Sequence, residues 1–472
     1  MGGPVTGSAV ATEVAPRGYA SSGAVVAVLS TATLLVNLDL FIVNIGFPSI
    51  QREFAGASLA TLSWVLNAYA IVFAAFLVPA GRLADRYGRR AGFLLGLAVF
   101  VLGSAGCALA PDAAALIAAR AAQAAGGALI IPASLSLLLA AVPAERRAKA
   151  IGTWVAVGAT AAGAGPVVGG LLVKASWRWI FVVNLPIGLL ALVAAARVVP
   201  ESRDRAPGRF PDLPGTGLLV LGVGALALGL VKGPVWGWTS RDELVTAAVT
   251  AGALLAFVAR SARHPSPVVD PSLLRTRSFG LTALGLLVFT CSFSALVLGS
   301  VLFLTRIWGY SSVEAGFAIA PSPLVVPLVA RGVAAALARR YGPHRVAVAG
   351  NLLLAAGAAC WALSLGAARS YPADLLPGLL LSGAGVGLAL PSLTTIGVSG
   401  LPAERFATGS AVLNMFRQVG AVLGIAVLVA IVDSARPGRV VHAFTTAWTS
   451  MAAVAVGAAV LAAAIGRTRE PA

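Results

Sequence analysis

Two ionisable side chains lie deep inside apolar stretches of this chain, where a charge is expensive to place. Asp39 falls within LLVNLDLFIVNIG and Arg120 within AALIAARAAQAAGGALII. A charge at the centre of a membrane helix costs about 3 kcal/mol or more, and such residues usually serve ion or proton transfer. A carboxylate that takes up and releases a proton next to a guanidinium suits that chemistry. The pair indicates an ion or proton path, not a catalytic centre.

The elements that must hold these charges are membrane helices. Of 472 residues, 58% are hydrophobic and only 11% are charged, whereas soluble domains carry about 25% charged residues. Lipid must therefore be the main solvent, and backbone groups in lipid must be satisfied within helices or a closed barrel. The apolar runs do not alternate as barrel strands do, so they predict an all-α membrane protein. Fourteen spans are predicted to start near residues 24, 60, 91, 113, 150, 179, 213, 243, 279, 313, 345, 373, 406 and 443.

The positive charges predict how the spans are oriented. With the N-terminus inside, the inner segments hold 22 of the 34 Lys and Arg residues and the outer loops hold 9. Lys and Arg concentrate in cytoplasmic loops, so tails 1–23 and 467–472 are both predicted to be cytoplasmic. The Ala-, Gly- and Arg-rich composition is typical of a GC-rich bacterial genome, which makes the membrane a bacterial plasma membrane. The net charge of +17 then reflects topology and not nucleic acid binding.

Asp39 and Arg120 are predicted to share a depth in the membrane. Span 1 is expected to run outward and to end near residue 46, which places Asp39 ~11 Å from the outer face. Span 4 returns from about residue 112, which places Arg120 ~12 Å from the same face. If spans 1 and 4 are neighbours, we expect the two side chains to interact, directly or through water, and a proton on Asp39 to weaken the pair. A static structural ion pair is the alternative interpretation.

A loop rich in Gly and Arg follows span 2, with the sequence GRLADRYGRR at residues 81–90. Gly88 can adopt the left-handed conformation that ends a helix. Asp85 can meet a neighbouring helix N-terminus or an Arg of the loop. Such contacts are expected to join two halves of the molecule on the inner side and to break when the halves move apart. The gating residues predicted in this loop are Gly81, Asp85, Arg86, Gly88 and Arg89.

The same loop recurs later in the chain. LADRYG at 83–88 after span 2 returns as LARRYG at 337–342 after span 10, with Arg339 in place of the acid. A weaker echo relates the segments around Pro132 and Pro391. Equivalent elements eight spans apart predict two six-helix halves with two extra helices between them, as in transporters built from parallel repeats. The predicted boundaries are 24–199 for the first half, 200–278 for the extra pair and 279–466 for the second half.

Span 5 has a smooth face. Ala161, Gly165 and Gly169 are four residues apart, a spacing that lets another backbone approach closely. Pro166 removes a backbone hydrogen bond and bends the helix. A bent and smooth helix suits a sliding contact between the halves, so Gly165, Pro166, Gly169 and Gly170 are predicted to take part in gating.

Six motifs occur in order over about residues 24 to 465: LDLFIVNIGFPSI, GRLADRYGRR, RAAQAAGGA, GATAAGAGPVVGG, SWRWIFVVNLPIG and NMFRQVGAVLG. Together they resemble the fourteen-span drug:proton antiporter branch of the major facilitator superfamily. Ala125 stands where the span 4 motif usually has Gly. The resemblance implies the major facilitator fold and a monomeric exporter of lipophilic small molecules, driven by inward proton flow through alternating access and without a cofactor.

In that superfamily spans 1 and 4 border a central cavity, and a broad apolar cavity with few polar groups suits lipophilic cargo. Arg417 lies ~17 Å along span 13, and no acid lies at that depth in the second half. An unpaired Arg there favours anionic or neutral cargo, although Gln418 or helix-end carbonyls are alternative partners. Trp64 fits an outer aromatic belt equally well. The predicted cavity residues are Asn37, Asn44, Trp64, Asn67, Tyr69, Gln123, Asn414 and Arg417.

Other functions find little support in the sequence. A Gly-rich phosphate loop ending in Lys and Ser or Thr is missing, so ATP is not expected to drive transport. The three His are far apart, the three Cys lie in or at apolar runs without metal-ligand spacing, and no nucleophile triad is evident, so an enzyme is not expected. The remaining alternatives on the same fold are a proton-coupled importer and a narrow exporter of a metabolite or lipid-like molecule.

Overall fold

The computed structural model describes residues 22–203, 210–399, 401, 405–436 and 438–466. All regular structure in these ranges is helical, and fourteen helices are long and apolar enough to cross a membrane. The predicted all-α membrane fold is therefore confirmed, while the two predicted tails lie almost wholly outside the described ranges. The helices are α1 Ser22–Glu53, α2 Leu59–Tyr87, α3 Arg89–Leu109, α4 Ala113–Ala141, α5 Ala144–Ala175, α6 Trp179–Val198, α7 Leu213–Trp236, α8 Arg241–Arg263, α9 Arg277–Arg306, α10 Ser312–Tyr341, α11 Pro343–Ser364, α12 Tyr371–Ser399, α13 Phe406–Asp433 and α14 Val440–Gly466.

Helix α1 extends well past the predicted end of span 1 near residue 46. It continues to Glu53 with Pro48 inside its last turns. Glu53 anchors this extension, because it accepts hydrogen bonds from Trp177 Nε1 at 2.6 Å and from Arg178 Nη1 at 2.5 Å. Apolarity marks the part of a helix that lies in lipid, whereas helical hydrogen bonding continues beyond it.

The two copies of the repeated loop end their helices in the same way. Gly88 follows α2 with φ 126° and Gly342 follows α10 with φ 83°. Both values lie in a region that L side chains adopt only with strain. Each glycine N–H donates to a carbonyl four residues earlier, that of Ala84 or Ala338. The sequence echo is therefore also an echo in backbone conformation.

Helix pairing repeats at an interval of eight helices. In the first six helices α1 packs on α5, α2 on α4, and α3 on α4 and α6. In the last six α9 packs on α13, α10 on α12, and α11 on α12 and α14. Small residues make these approaches possible: a Cβ placed on Gly126 of α4 would lie 2.9 Å from Phe100 Cα of α3. The two sets of six helices thus share one packing plan.

Helices α7 and α8 form a hairpin between the two sets. Leu254 of α8 covers Gly222 of α7, where an added Cβ would lie 2.6 Å from its Cδ2 atom. The ends of the hairpin are joined by an ion pair of 2.6 Å between Arg260 Nε and Asp212 Oδ1. Helix α7 packs against both α2 and α13. The hairpin therefore lies along the line where the first set meets the second.

Candidate functional site

Helices α1 and α4 bring Asp39 and Arg120 into direct contact. Arg120 Nη1 lies 2.5 Å from Asp39 Oδ2, and the two side chains are 1% and 0% exposed. Arg120 also donates through Nε to the carbonyl of Val65 at 3.1 Å and through Nη1 to Gln123 Oε1 at 2.6 Å. A buried ion pair is tolerated only when the remaining polar atoms find partners. This pair meets that condition.

The Asp39 carboxylate also has hydrogen-bond partners, and they come from α4 and α6. Asp39 Oδ1 accepts from Gln123 Nε2 at 2.9 Å and from Asn184 Nδ2 at 3.2 Å. The hydroxyl oxygen of Ser104 accepts from the same two amides, at 2.7 and 3.3 Å. Asp39 therefore has donors from three residues, and Ser104 of α3 holds two of them in place. We call Asp39, Arg120, Gln123, Asn184 and Ser104 the buried polar network.

Close helix approach places Ser104 within reach of α4. A Cβ on the preceding residue, Gly103, would lie 2.7 Å from Gln123 Cα, so only glycine fits there without movement. The short distance between α3 and α4 lets a side chain as small as Ser bond the long Gln123 amide.

Aromatic rings close the remaining side of the Arg120 guanidinium. The Tyr69 ring centroid lies 4.1 Å from its Cζ atom and that of Phe181 lies 5.7 Å away. Both distances are within the range of cation–π attraction. Tyr69 also stacks on Phe73, with centroids 6.0 Å apart. The guanidinium is thus held between an acid, two oxygen acceptors and two rings, and it is shielded from solvent.

The predicted cavity residues of the first half separate into two groups. Asn67, Tyr69 and Gln123 are completely buried, so they do not line an open space in this conformation. Asn37 and Asn44 are partly buried and donate to the carbonyls of the preceding turn, those of Thr33 and Leu40, at 2.8 and 2.9 Å. Trp64 is partly buried against apolar neighbours.

Sequence reasoning missed three members of the site. Asn184 is a polar residue in the apolar segment WIFVVNLPIG, and the criterion that singled out Asp39 applies to it as well. Ser104 and Phe181 carry no such signal, because Ser and Phe are common in apolar helices. Their roles depend on which helix faces which, and that is set by tertiary packing.

The second half places Arg417 and Asn414 on one side of α13. Arg417 is partly buried, and among the described residues its guanidinium has no ion-pair or hydrogen-bond partner. The Oδ1 atom of Asn414 is buried and likewise lacks a partner within the described ranges. The predicted alternative partner of Arg417, the neighbouring Gln418, is 6% exposed and does not bond it.

The predicted gating loop contacts the first half and the segment 200–278 that follows it. The Arg82 guanidinium donates to the Ser266 hydroxyl oxygen in the link between α8 and α9. Arg89 Nε lies 2.6 Å from Asp85 Oδ1, and the Arg89 N–H donates to the Ser202 carbonyl at 2.9 Å. The Arg90 N–H donates to Glu201 Oε1 at 3.1 Å. The Arg86 guanidinium lies 5.9 Å from the Tyr87 ring. A Cβ placed on Gly81 would lie 3.2 Å from Pro132 Cβ, so this glycine joins α2 to α4.

Helix α5 uses different residues for its contacts with α1 and with α10. Gly165 and Gly169 pack on α1 of the same half, where added Cβ atoms would lie 2.8 Å from Phe41 Cβ and 2.9 Å from Ile42 Cγ1. Gly170, one position further round the helix, faces α10, with the Ser312 carbonyl oxygen 3.1 Å from its added Cβ. The spacing of four identified the smooth row but not the helix that it meets.

The contact of α5 with α10 is confined to one side of the molecule. There a Cβ on Gly316 would lie 3.4 Å from Gly170 Cα, and the Ser49 hydroxyl of the neighbouring α1 lies 3.1 Å from that of Ser312. Toward the other side, which carries the Arg-rich loops, Gly152 of α5 and Gly332 of α10 have no such neighbour within 4 Å among the described residues. The halves therefore meet along these helices away from the Arg-rich side and separate toward it.

Several known proteins are similar to this chain in sequence. A model of the Major Facilitator Superfamily matches residues 29–425. The multidrug resistance protein Stp of Mycobacterium tuberculosis is 37% identical over 396 residues, 84% of this chain and 73% of that protein. The methylenomycin A resistance protein of Streptomyces coelicolor is 35% identical over 467 residues, 97% of this chain and 94% of that protein. The tetracenomycin C resistance and export protein of Streptomyces glaucescens is 33% identical over 422 residues, 89% and 77% of the two chains.

Solved structures share the fold at low sequence identity. The POT family transporter PepTSo superposes with a TM-score of 0.68 at 17% identity, covering 96% of this chain and 99% of its own. A bacterial homologue of the human lysosomal transporter Spinster gives 0.67 at 17% identity, covering 97% and 100%. The chain belongs to the Major Facilitator Superfamily, within its drug-efflux proteins. It is a multi-pass membrane transporter and not an enzyme, as the motifs predicted.

Proposed function

We propose that this efflux transporter is a proton-coupled antiporter that exports lipophilic small molecules from the cytoplasm across the bacterial plasma membrane. Both termini are then cytoplasmic, the Arg-rich side faces the cytoplasm, and a single chain is sufficient because it holds both halves. Relatives named for resistance to methylenomycin A and for export of tetracenomycin C support a drug-like or antibiotic cargo. The observation that carries the proposal is the buried contact of Asp39 with Arg120.

Proton binding to Asp39 is the proposed coupling step. A proton on the carboxylate removes the negative charge that faces Arg120, while the guanidinium keeps the Val65 carbonyl, Gln123 and the Tyr69 ring. The balance of forces between α1 and α4 changes at that moment. Because both charged side chains are withdrawn from solvent, proton exchange requires movement of the surrounding helices. Protonation and conformational change are coupled for that reason.

The contact of α5 with α10 is the proposed outer gate. In the present conformation it brings Gly170 against Gly316, and Ser49 of α1 contacts Ser312 beside them. The outer ends of these helices are thus closed, and the space between them opens toward the cytoplasm. Smooth glycine surfaces let such a contact form and separate with little side-chain rearrangement. Breaking it while the cytoplasmic ends approach would expose the cargo site to the outside, as alternating access requires.

The test is export by an efflux-deficient bacterium that expresses the wild type, Asp39→Asn or Asp242→Asn. Asp242 is an exposed acid at the start of α8 and serves as the matched control. We expect the wild type and Asp242→Asn to lower the accumulation of lipophilic dyes, and both a protonophore and Asp39→Asn to abolish this effect while membrane insertion is retained. Inverted vesicles that contain the wild type should show cargo-induced proton movement, and vesicles that contain Asp39→Asn should not.

Normal export by Asp39→Asn would eliminate the coupling role of Asp39. Accumulation that rises on expression would favour an importer instead, and insensitivity to the protonophore would remove proton coupling altogether.

A further inference from the structure

Among the residues that the structure describes, no acid compensates the charge of Arg417. Arg417 lies eleven residues from the start of α13 at Phe406, hence ~17 Å along a helix. In the second half Glu314, Asp374 and Asp433 lie near the far ends of α10, α12 and α13, and Glu404 lies outside the described residues. A cation at membrane depth normally pairs with an acid or with carbonyls. No described residue does this for Arg417.

Contacts of α13 show which way this charge faces. Gly420 and Gly424 lie against α9, where added Cβ atoms would touch the backbone carbonyls of Leu287 and Cys291. Ala411, on another face, packs on apolar residues of the first half. With 3.6 residues per turn, Arg417 and Asn414 fall on the surface between these two contacts, and Arg417 is the nearer of the two to α9. That surface therefore lies between α9 of its own half and the first-half residues that Ala411 contacts.

Asn414 adds a second unmet polar group beside the charge. It lies three residues before Arg417, so the two side chains are neighbours on the helix surface. Its Oδ1 atom is buried without a partner among the described residues. An Arg side chain leans toward the N-terminus of its helix, which brings the guanidinium toward Asn414 and the Arg-rich side. An amide can donate or accept according to its orientation.

We propose that Arg417 and Asn414 bind an acidic group, a carboxylate or a similarly ionised oxygen, on an otherwise lipophilic cargo. The inference rests on the export function proposed above and narrows it to a substrate class. A guanidinium matches the geometry of a carboxylate with two parallel hydrogen bonds. The cargo then supplies the counter-charge that no described residue of the second half provides, and its apolar body contacts the surrounding helices.

The test measures binding without transport, on purified protein in nanodiscs of neutral lipid. The probes are pyrenebutyric acid and its uncharged methyl ester. Arg417→Gln should weaken binding of the acid by roughly 10-fold or more, as loss of a charged hydrogen-bond partner predicts, and leave the ester unchanged. Arg417→Lys should retain part of the affinity for the acid. Arg331→Gln, which removes an exposed charge from α10, should behave as the wild type.

Equal loss of acid and ester on Arg417→Gln, or no loss of the acid, would overturn the proposal. Nanodiscs that contain phosphatidylglycerol test the competing source of an anion. If that lipid weakens acid binding about tenfold in the wild type but not in Arg417→Gln, the site holds a lipid headgroup and the cargo assignment is wrong. Because no proton gradient is present, these results are separate from the dye experiment with Asp39→Asn.

Discussion

The first half surrounds the guanidinium of Arg120 with partners. In the second half, no described residue pairs with the guanidinium of Arg417. Arg120 contacts an acid, a carbonyl, an amide and two rings, and it is 1% exposed. Arg417 is partly exposed and unpaired within the described ranges. Two halves with one packing plan thus hold their charges in opposite ways. A closed network suits an internal proton step, and an open charge suits an external ligand.

The repeated loops differ in the same direction. In the first half Asp85 balances Arg89 at 2.6 Å, whereas the second copy has Arg339 at the equivalent position. The second half is again the one without the acid. Divergence between the copies therefore affects charge compensation more than backbone shape, since Gly88 and Gly342 retain their positive φ values.

The largest expected effect comes from removing each Arg in turn. Arg120→Ala leaves Asp39 buried without its counter-charge, and loss of one partner of a buried pair costs about 3–5 kcal/mol of unfolding free energy. Arg417→Ala removes an unpaired charge and should leave stability unchanged or higher. Urea unfolding of the purified variants in mild detergent measures both. Similar losses in the two variants would show that Arg417 has a structural partner and would end the contrast between the halves.

An intermediate effect is expected where the halves touch. A Cβ on Gly316 would collide with the Pro166 backbone carbonyl, whereas Gly332 in the same helix has open space. Overpacking costs about 1–3 kcal/mol, so Gly316→Ala should shift the population away from the closed outer gate by roughly tenfold, and Gly332→Ala should not. The measurement is the rate of disulfide formation between cysteines placed at Ser49 and Ser312, with the native cysteines replaced. Unchanged cross-linking in Gly316→Ala would show that the gate lies elsewhere.

The smallest effect is expected from replacing Asp85, the acid in the loop at residues 81–90. Asp85 and Arg89 are 38% and 23% exposed, and ion pairs of this kind at a spacing of four contribute about 0.3–0.5 kcal/mol. Asp85→Asn should therefore lower the unfolding free energy only slightly. Arg339→Asp, which gives the second copy an acid, should change it by a similarly small amount. A loss above about 2 kcal/mol for Asp85→Asn, far outside the range of exposed pairs, would assign this loop a structural role that the first half alone possesses.

Composition and periodicity are sufficient to predict the helices. The energetic cost of a charge inside the membrane is sufficient to single out Asp39 and Arg120 at the centre of the site. The depths of Asp39 and Arg120 follow from the sequence, because helical rise converts residue number into position along the membrane normal, and the family resemblance brings spans 1 and 4 to the same cavity. Rotation about each helix axis has no such rule. The sequence therefore does not predict which helix the row of Gly165 and Gly169 meets, nor that Ser104 of α3 faces α4. The roles of these residues in gating and coupling remain predictions.

Helix α7 lies along the line where α2 of the first half meets α13 of the second. A molecule dissolved in the bilayer would have to displace an entire helix to pass between the halves on that side. If the lipophilic cargo proposed above enters from the bilayer, its entry is confined to the side of α5 and α10, whose ends on the Arg-rich side are exposed. For a cargo that arrives this way, the concentration at the entrance is its concentration in lipid. Oil–water partitioning then sets the supply of cargo before any residue of the protein has touched it.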